Sequence, residues 1–223
     1  MKALAKELIG LQPNVIVGYT TSPVVSLRKE TVTIPIVFVA ASDPVGADFI
    51  ADLAHPGGNM TGFINNESSM TGKWAELIKE MAPGISRIAF LFNPETAAYV
   101  TRYYQGSLEA CARSFGMQPH ANPVHSAREI ESAITAIGSD PGGGLIVMPD
   151  SFNILHRRQI VELTARYRVP AISPYRFAVL DGGLMSYGLT RLICFGAQLA
   201  MSIGSFEAPK QRSSQRRRRP SSS

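Results

Sequence analysis

IPIVFVAASDPVGADFIADLAHPGGNMTGF, residues 34–63, holds the pattern from which the architecture can be read. Its first seven residues, Ile34 to Ala40, are almost continuously apolar. An alternating strand would have one wet face, so an unbroken run points to a strand covered on both faces, as in a parallel sheet. The run stops abruptly at Ser42, Asp43 and Pro44. Val45, Phe49, Ile50 and Leu53 then recur at helical spacing, which predicts a helix ended by the turn sequence HPGGN.

The same grammar repeats in both directions. MKALAKELIGLQPN predicts a helix with Leu4, Leu8 and Leu11 on its inner face, ending before Pro13. VIVGY, residues 15–19, is a short strand that runs into Thr20, Thr21 and Ser22, and a weaker helix precedes Ile34. Downstream, Trp74, Leu77, Ile78 and Met81 form a helical stripe, and IAFLF (residues 88–92) is a strand leading to Asn93 and Pro94. Tyr104, Leu108, Cys111 and Phe115 line the next helix, turning Cys111 to the core. SAREIESAITAIG opens with the capping pair Ser126 and Glu129. GLIVMPD, HRRQIVELTARY, VPAIS and LMSYG complete the alternation. Repeated βα units predict doubly wound parallel α/β sheets. The first element is a helix leading into a strand, whereas this architecture ordinarily starts on a strand, so the first lobe is expected to be incomplete.

With 223 residues and 45% hydrophobic content, the chain can bury one large core or two smaller ones. Its net charge of +5 is unevenly spread: residues 189–223 carry +6, including Arg216, Arg217, Arg218 and Arg219, and leave Met1 to Gly188 at −1. The part that folds by pattern therefore has no electrostatic footprint for nucleic acid. Two cysteines, Cys111 and Cys194, make neither a disulfide framework nor a metal cluster. No run of about 20 apolar residues marks a membrane span, and no secretory signal opens the chain.

Ligands of open α/β sheets bind beyond the carboxyl ends of the strands. Those ends bear Tyr19, Thr20, Thr21, Ser42, Asp43, Asn93, Glu95, Asp150, Ser151 and Tyr175, an inventory of hydroxyls, carboxylates and aromatic walls that fits a small polar solute. Taken one at a time, the same residues are ordinary turn and helix-cap choices. Catalytic patterns are lacking. GxGxxG is absent, HPGGN and DPGGG lack the Lys-Ser/Thr of a phosphate loop, the four histidines form no HExxH, and no nucleophile has a visible base. No cofactor and no metal are expected.

Residues 34–63, GKWAELIKEMAPGISRIAFLFNPE (72–95), GGLIVMPDSF (143–152), HRRQIVELTARYRVPAISPYRF (156–177) and GGLMSYG (182–188) together resemble the substrate-binding proteins of ABC transporters. The resemblance is to the group related to uptake of tryptophan and other aromatic amino acids, and SDPVG followed by HPGGNMTGF is its specific signature. It implies a two-lobed periplasmic binding protein of type I that closes on a solute, delivers it to a membrane permease and does no chemistry. Thr20, Thr21, Ser42 and Asp43 would then line the first lobe's wall of the cleft, and Asn93, Asp150, Ser151 and Tyr175 the second's. Residues 1–67 are expected to be a fragment of the first lobe, 68–188 the second lobe with its crossover, and 189–223 a basic, non-native tail.

The family's export signal and first strand have no counterpart here, so the family's compartment is periplasmic while this chain as written would stay in the cytoplasm. After Gly188 the likeness stops. Codons permitted by residues 189–208, read one base out of register, can encode an apolar-striped helix like the family's continuation, which points to a frameshift and an impaired copy. Two other classes stay open: an arginine-rich arm that binds nucleic acid, and an enzyme on the same fold.

Overall fold

A computed structural model describes residues 2–64 and 67–188. The chain runs through α1 (Lys2–Gly10), β1 (Ile16–Tyr19), α2 (Thr21–Arg28), β2 (Ile36–Ala41), β3 (Met60–Ile64), α3 (Met70–Met81) and β4 (Arg87–Phe92). A π-helical turn (Val100–Tyr104) leads into α4 (Gln105–Ser114), followed by β5 (Gln118–Pro123), α5 (Ala127–Gly138) and β6 (Gly143–Val147). It closes with α6 (Ser151–Leu155), α7 (Arg157–Arg166), β7 (Ala171–Ser173), α8 (Arg176–Leu180) and β8 (Met185–Ser186). The residues predicted as a basic, frameshifted tail lie outside the described ones.

Two parallel sheets result, one ordered β1-β2-β3 and the other β5-β4-β6-β7-β8. In β4 the alternation of side chains feeds two cores. Ile88, Phe90 and Phe92 join Trp74, Ile78, Tyr104 and Leu108 on one face, and Ala89 and Leu91 join Ile130, Ile134, Ile160 and Leu163 on the other. That double burial is the reason the strand carries no polar residue between Ile88 and Phe92. The first sheet packs Ile36 and Phe38 with Val24, Leu27, Phe49 and Ile50.

Two expectations need correction. Residues 45–53 do not form a helix. Asp43 Oδ1 caps the first turn by accepting the Gly46 N–H at 3.0 Å, but Asp48 takes a left-handed φ of 54°, so the segment stays a series of turns. Phe49 and Ile50 still reach the core, while Val45 and Leu53 face solvent. In α1 the leucine stripe points outward: Leu4, Leu8 and Leu11 are exposed, and Ala5 and Ile9 supply the contact.

Two strands escape the apolar-run pattern. β5, QPHANP, is an edge strand in which prolines are tolerated because one side needs no ladder donors. β3, MTGFI, owes Gly62 to close approach, since a Cβ there would lie 1.9 Å from the Phe38 carbonyl oxygen. The capping pair forms as predicted: Ser126 Oγ accepts the Glu129 N–H at 3.3 Å, and Glu129 Oε2 accepts the His125 N–H at 2.9 Å. Replacing Ser126 with alanine is expected to cost about 1 kcal/mol in urea unfolding, the usual value of such a cap.

Candidate binding cleft

The carboxyl end of β2 is bent out of regular register. Pairing with β3 shifts between Val39 and Ala41, and Ala40 and Asp43 both have positive φ, 57° and 49°. Thr20, at the end of β1, is strained in the same way with φ 66°. Bulges and such backbone outliers re-aim side chains and gather at ligand sites. Here they flank the buried Ser42 and Asp43. Thr21 fastens the bend, its hydroxyl oxygen accepting the Ser42 N–H at 2.8 Å.

Residues of the second sheet's side meet this end. Tyr104 Oη donates to Ser42 Oγ at 3.4 Å, and Arg102 Nε and Nη2 reach Asp43 Oδ2 at 2.8 and 2.7 Å. Tyr99 Oη donates to the Pro149 carbonyl. The π-helical turn makes this grouping possible. Its wide i→i+5 bond, from Gln105 N to Val100 O, brings Tyr99 and Tyr104, five residues apart, to a ring separation of 6.3 Å. On a regular α-helix residues five apart project to different sides, since neighbours on one face are three and four apart. Burial pushes both hydroxyls well above the ordinary tyrosine pKa, so they stay neutral donors. Tyr175, buried and stacked at 5.0 Å on Phe177, lies close enough to raise both further.

The residues expected at the site divide by what they are free to do. Asp150 is buried and holds three donors, Asn93 N at 2.7 Å, Thr96 Oγ1 at 2.5 Å and Phe152 N at 2.9 Å. It ties the ends of β4 and β6 together and caps α6. Asn93, also buried, receives the Glu95 N–H at 2.8 Å. Glu95 itself is solvent-exposed, with His125 Nδ1 3.7 Å away. Thr20, Ser151 and Tyr19 are half-buried at the strand ends. Ser42, Asp43 and Tyr175 are brought to one place with Tyr99, Arg102 and Tyr104. The helical spacing of Tyr104 with Leu108 marks it as a core residue, which its burial bears out, but marks neither Tyr99 nor Arg102. The available signal was local: three tyrosines and an arginine within six residues, just after a strand end.

Among the described residues no group of three or more His, Cys, Asp or Glu side chains could hold a metal, and no helix is long and apolar enough to cross a membrane.

Comparison with known proteins agrees with this fold. A family model described as ABC transporter substrate binding protein matches residues 1–203, and so extends past Gly188, where the likeness was expected to stop. The chain is 23% identical over 189 residues to a tyrosine-binding protein of Clostridioides difficile, covering 84% of this chain and 53% of that protein. It superposes with a TM-score of 0.74 on an ABC domain from Streptococcus pneumoniae in complex with L-Trp, at 26% identity, covering 83% of this chain and 62% of that one. A conserved domain protein from Vibrio cholerae gives the same TM-score of 0.74 at 27% identity, with 83% and 61% covered. The chain thus spans between half and two thirds of the length of these relatives.

Proposed function

We propose, from the premise that this chain belongs to the ABC transporter substrate-binding protein family, that it holds a small polar solute, an amino acid, between two lobes and presents it to a membrane permease. Residues 1–67 contribute to the first lobe, and residues 68–188 make up the second lobe with its crossover. The compartment is the one the family uses, outside the membrane that carries the permease. The chain binds and releases; it transforms nothing.

One observation carries this reading: the bent end of β2, with Ser42 and Asp43, faces the tyrosine cluster Tyr99, Tyr104 and Tyr175. Neutral hydroxyl donors and flat aromatic walls match a small solute that carries polar groups on an apolar or aromatic body. The relatives named for tyrosine and bound to L-Trp favour an aromatic amino acid as the first solute to try.

The test is titration calorimetry with L-tyrosine, L-tryptophan and L-leucine, with ribose and glutamate as contrasts. Saturable binding of one of the three neutral amino acids is expected, weakened about tenfold or more when Tyr175 becomes alanine, because that removes a buried aromatic wall. Binding of none of the amino acids would overturn the proposal.

A further inference from the structure

Arg102 is a charge that no periodicity in the sequence marks. The π-helical turn carries it on the second lobe's side, and its guanidinium crosses to the first lobe, placing Nε at 2.8 Å and Nη2 at 2.7 Å from Asp43 Oδ2. The other oxygen of Asp43 is already held by the Gly46 N–H at 3.0 Å. Asp43 is buried, whereas a little over half of the Arg102 side chain, 57%, is exposed. Among the described residues, the other ion pairs join partners on one side only: Arg28 with Asp48 in the first lobe, and Arg87 with Asp140 or Arg157 with Asp181 in the second. Asp43 is also held with left-handed backbone beyond a bulge, so the first lobe offers its carboxylate at a fixed position.

We propose that Arg102 is the positioning residue that fastens the lobes over the solute. Its bond to Asp43 forms across the cleft as the lobes meet and lowers the rate of solute escape, without Arg102 touching the solute. A forked, charge-assisted pair suits this task, because it is strong only when geometry is right and so stabilises one relative placement of the two walls. Its exposed half leaves it open to screening. This inference rests on the solute-binding reading above.

The experiment compares the full chain with Arg102→Ala and Arg102→Lys variants. Stopped-flow fluorescence of Trp74, whose ring lies 6.0 Å from Tyr104, follows release of an aromatic amino acid and of its decarboxylated amine. Small-angle scattering reads the radius of gyration in parallel. Arg102→Ala is expected to raise koff about tenfold, a coupling of about 1.4 kcal/mol, with kon changed little. The rise should be equal for the amino acid and the amine, and Arg102→Lys should restore part of it. High salt should move the wild type toward the alanine variant, and the alanine variant should show the larger radius.

Unchanged koff and radius in Arg102→Ala would overturn the proposal. So would a loss confined to the carboxylate-bearing solute, since that would mean Arg102 grips the solute directly. Should the alanine variant not fold, the lysine variant and the salt series decide the matter. If the wild type binds no solute, the function proposed above is wrong, while the scattering comparison still decides whether Arg102 holds the lobes together.

Discussion

Replacing Trp74 with alanine is expected to destabilise the chain by about 3–5 kcal/mol, the range for deleting a large aromatic from a core. Trp74 is wholly buried and shares a core with Ile78, Phe90, Tyr104 and Ile146. Its indole N–H donates to the Tyr187 carbonyl at 2.8 Å, a bond across 113 residues that pins the end of the described chain to α3. Alanine would leave both a cavity beside Tyr104 and a carbonyl without its donor. Phenylalanine fills most of the volume and loses only the donor, so Trp74→Phe should cost roughly a third as much. Because Trp74 is the only tryptophan in the chain, unfolding of these variants in urea must be followed by circular dichroism. A lower midpoint at an unchanged slope is the expected signature. A loss below about 1 kcal/mol for Trp74→Ala would mean that this core does not hold the second lobe.

The second large effect belongs to Asp150. Its buried carboxylate is the shared acceptor for Asn93 N–H, the Thr96 hydroxyl and Phe152 N–H. Asp150→Ala strands three donors and is expected to cost about 2–4 kcal/mol. Asp150→Asn keeps an acceptor for one side but turns an amide toward the Asn93 N–H, so it should fall between alanine and wild type. The variants also differ in pH response. Burial raises the Asp150 pKa, outweighing the three hydrogen bonds that lower it.

The folded state therefore holds this proton more tightly than the unfolded chain, whose aspartates titrate near 4. Between that value and the folded pKa the folded form binds more protons, so this group's contribution to stability falls as pH rises through the window and is level above it. The slope should vanish in Asp150→Asn. A variant with the wild-type slope would show that another carboxyl is responsible.

The division between legible and illegible parts has specific causes. Continuous apolar runs identified β2, β4 and β6 because each is covered on both faces and tolerates no polar residue. The Ser126 cap could be read from two residues, since its hydrogen bonds close within one turn. β3 and β5 could not, because they lie at sheet edges and their composition answers to glycine packing and to unpaired ladder positions. The expected helix at 45–53 begins as one, with Asp43 capping the Gly46 N–H and the Ala47 N–H bonded to the Asp43 carbonyl, but the left-handed φ of 54° at Asp48 stops it after a single turn.

The candidate site shows the same division. Ser42 and Asp43 could be named in advance because strand ends are marked by where apolar runs stop. Arg102, Tyr99 and Tyr104 could not, because their roles depend on one i→i+5 turn and on a partner 59 or 62 residues away.

What the linear order of residues determined here is the class of fold and the positions of strand ends, because hydrophobic burial imposes a period that can be counted along the chain. Only the folded chain decided which strand ends share a cleft, which aspartate is a tie and which is a cross-lobe partner, and which apolar stripe stays wet. Those outcomes are set by pairings between distant segments, whose energies are not properties of any one stretch of sequence.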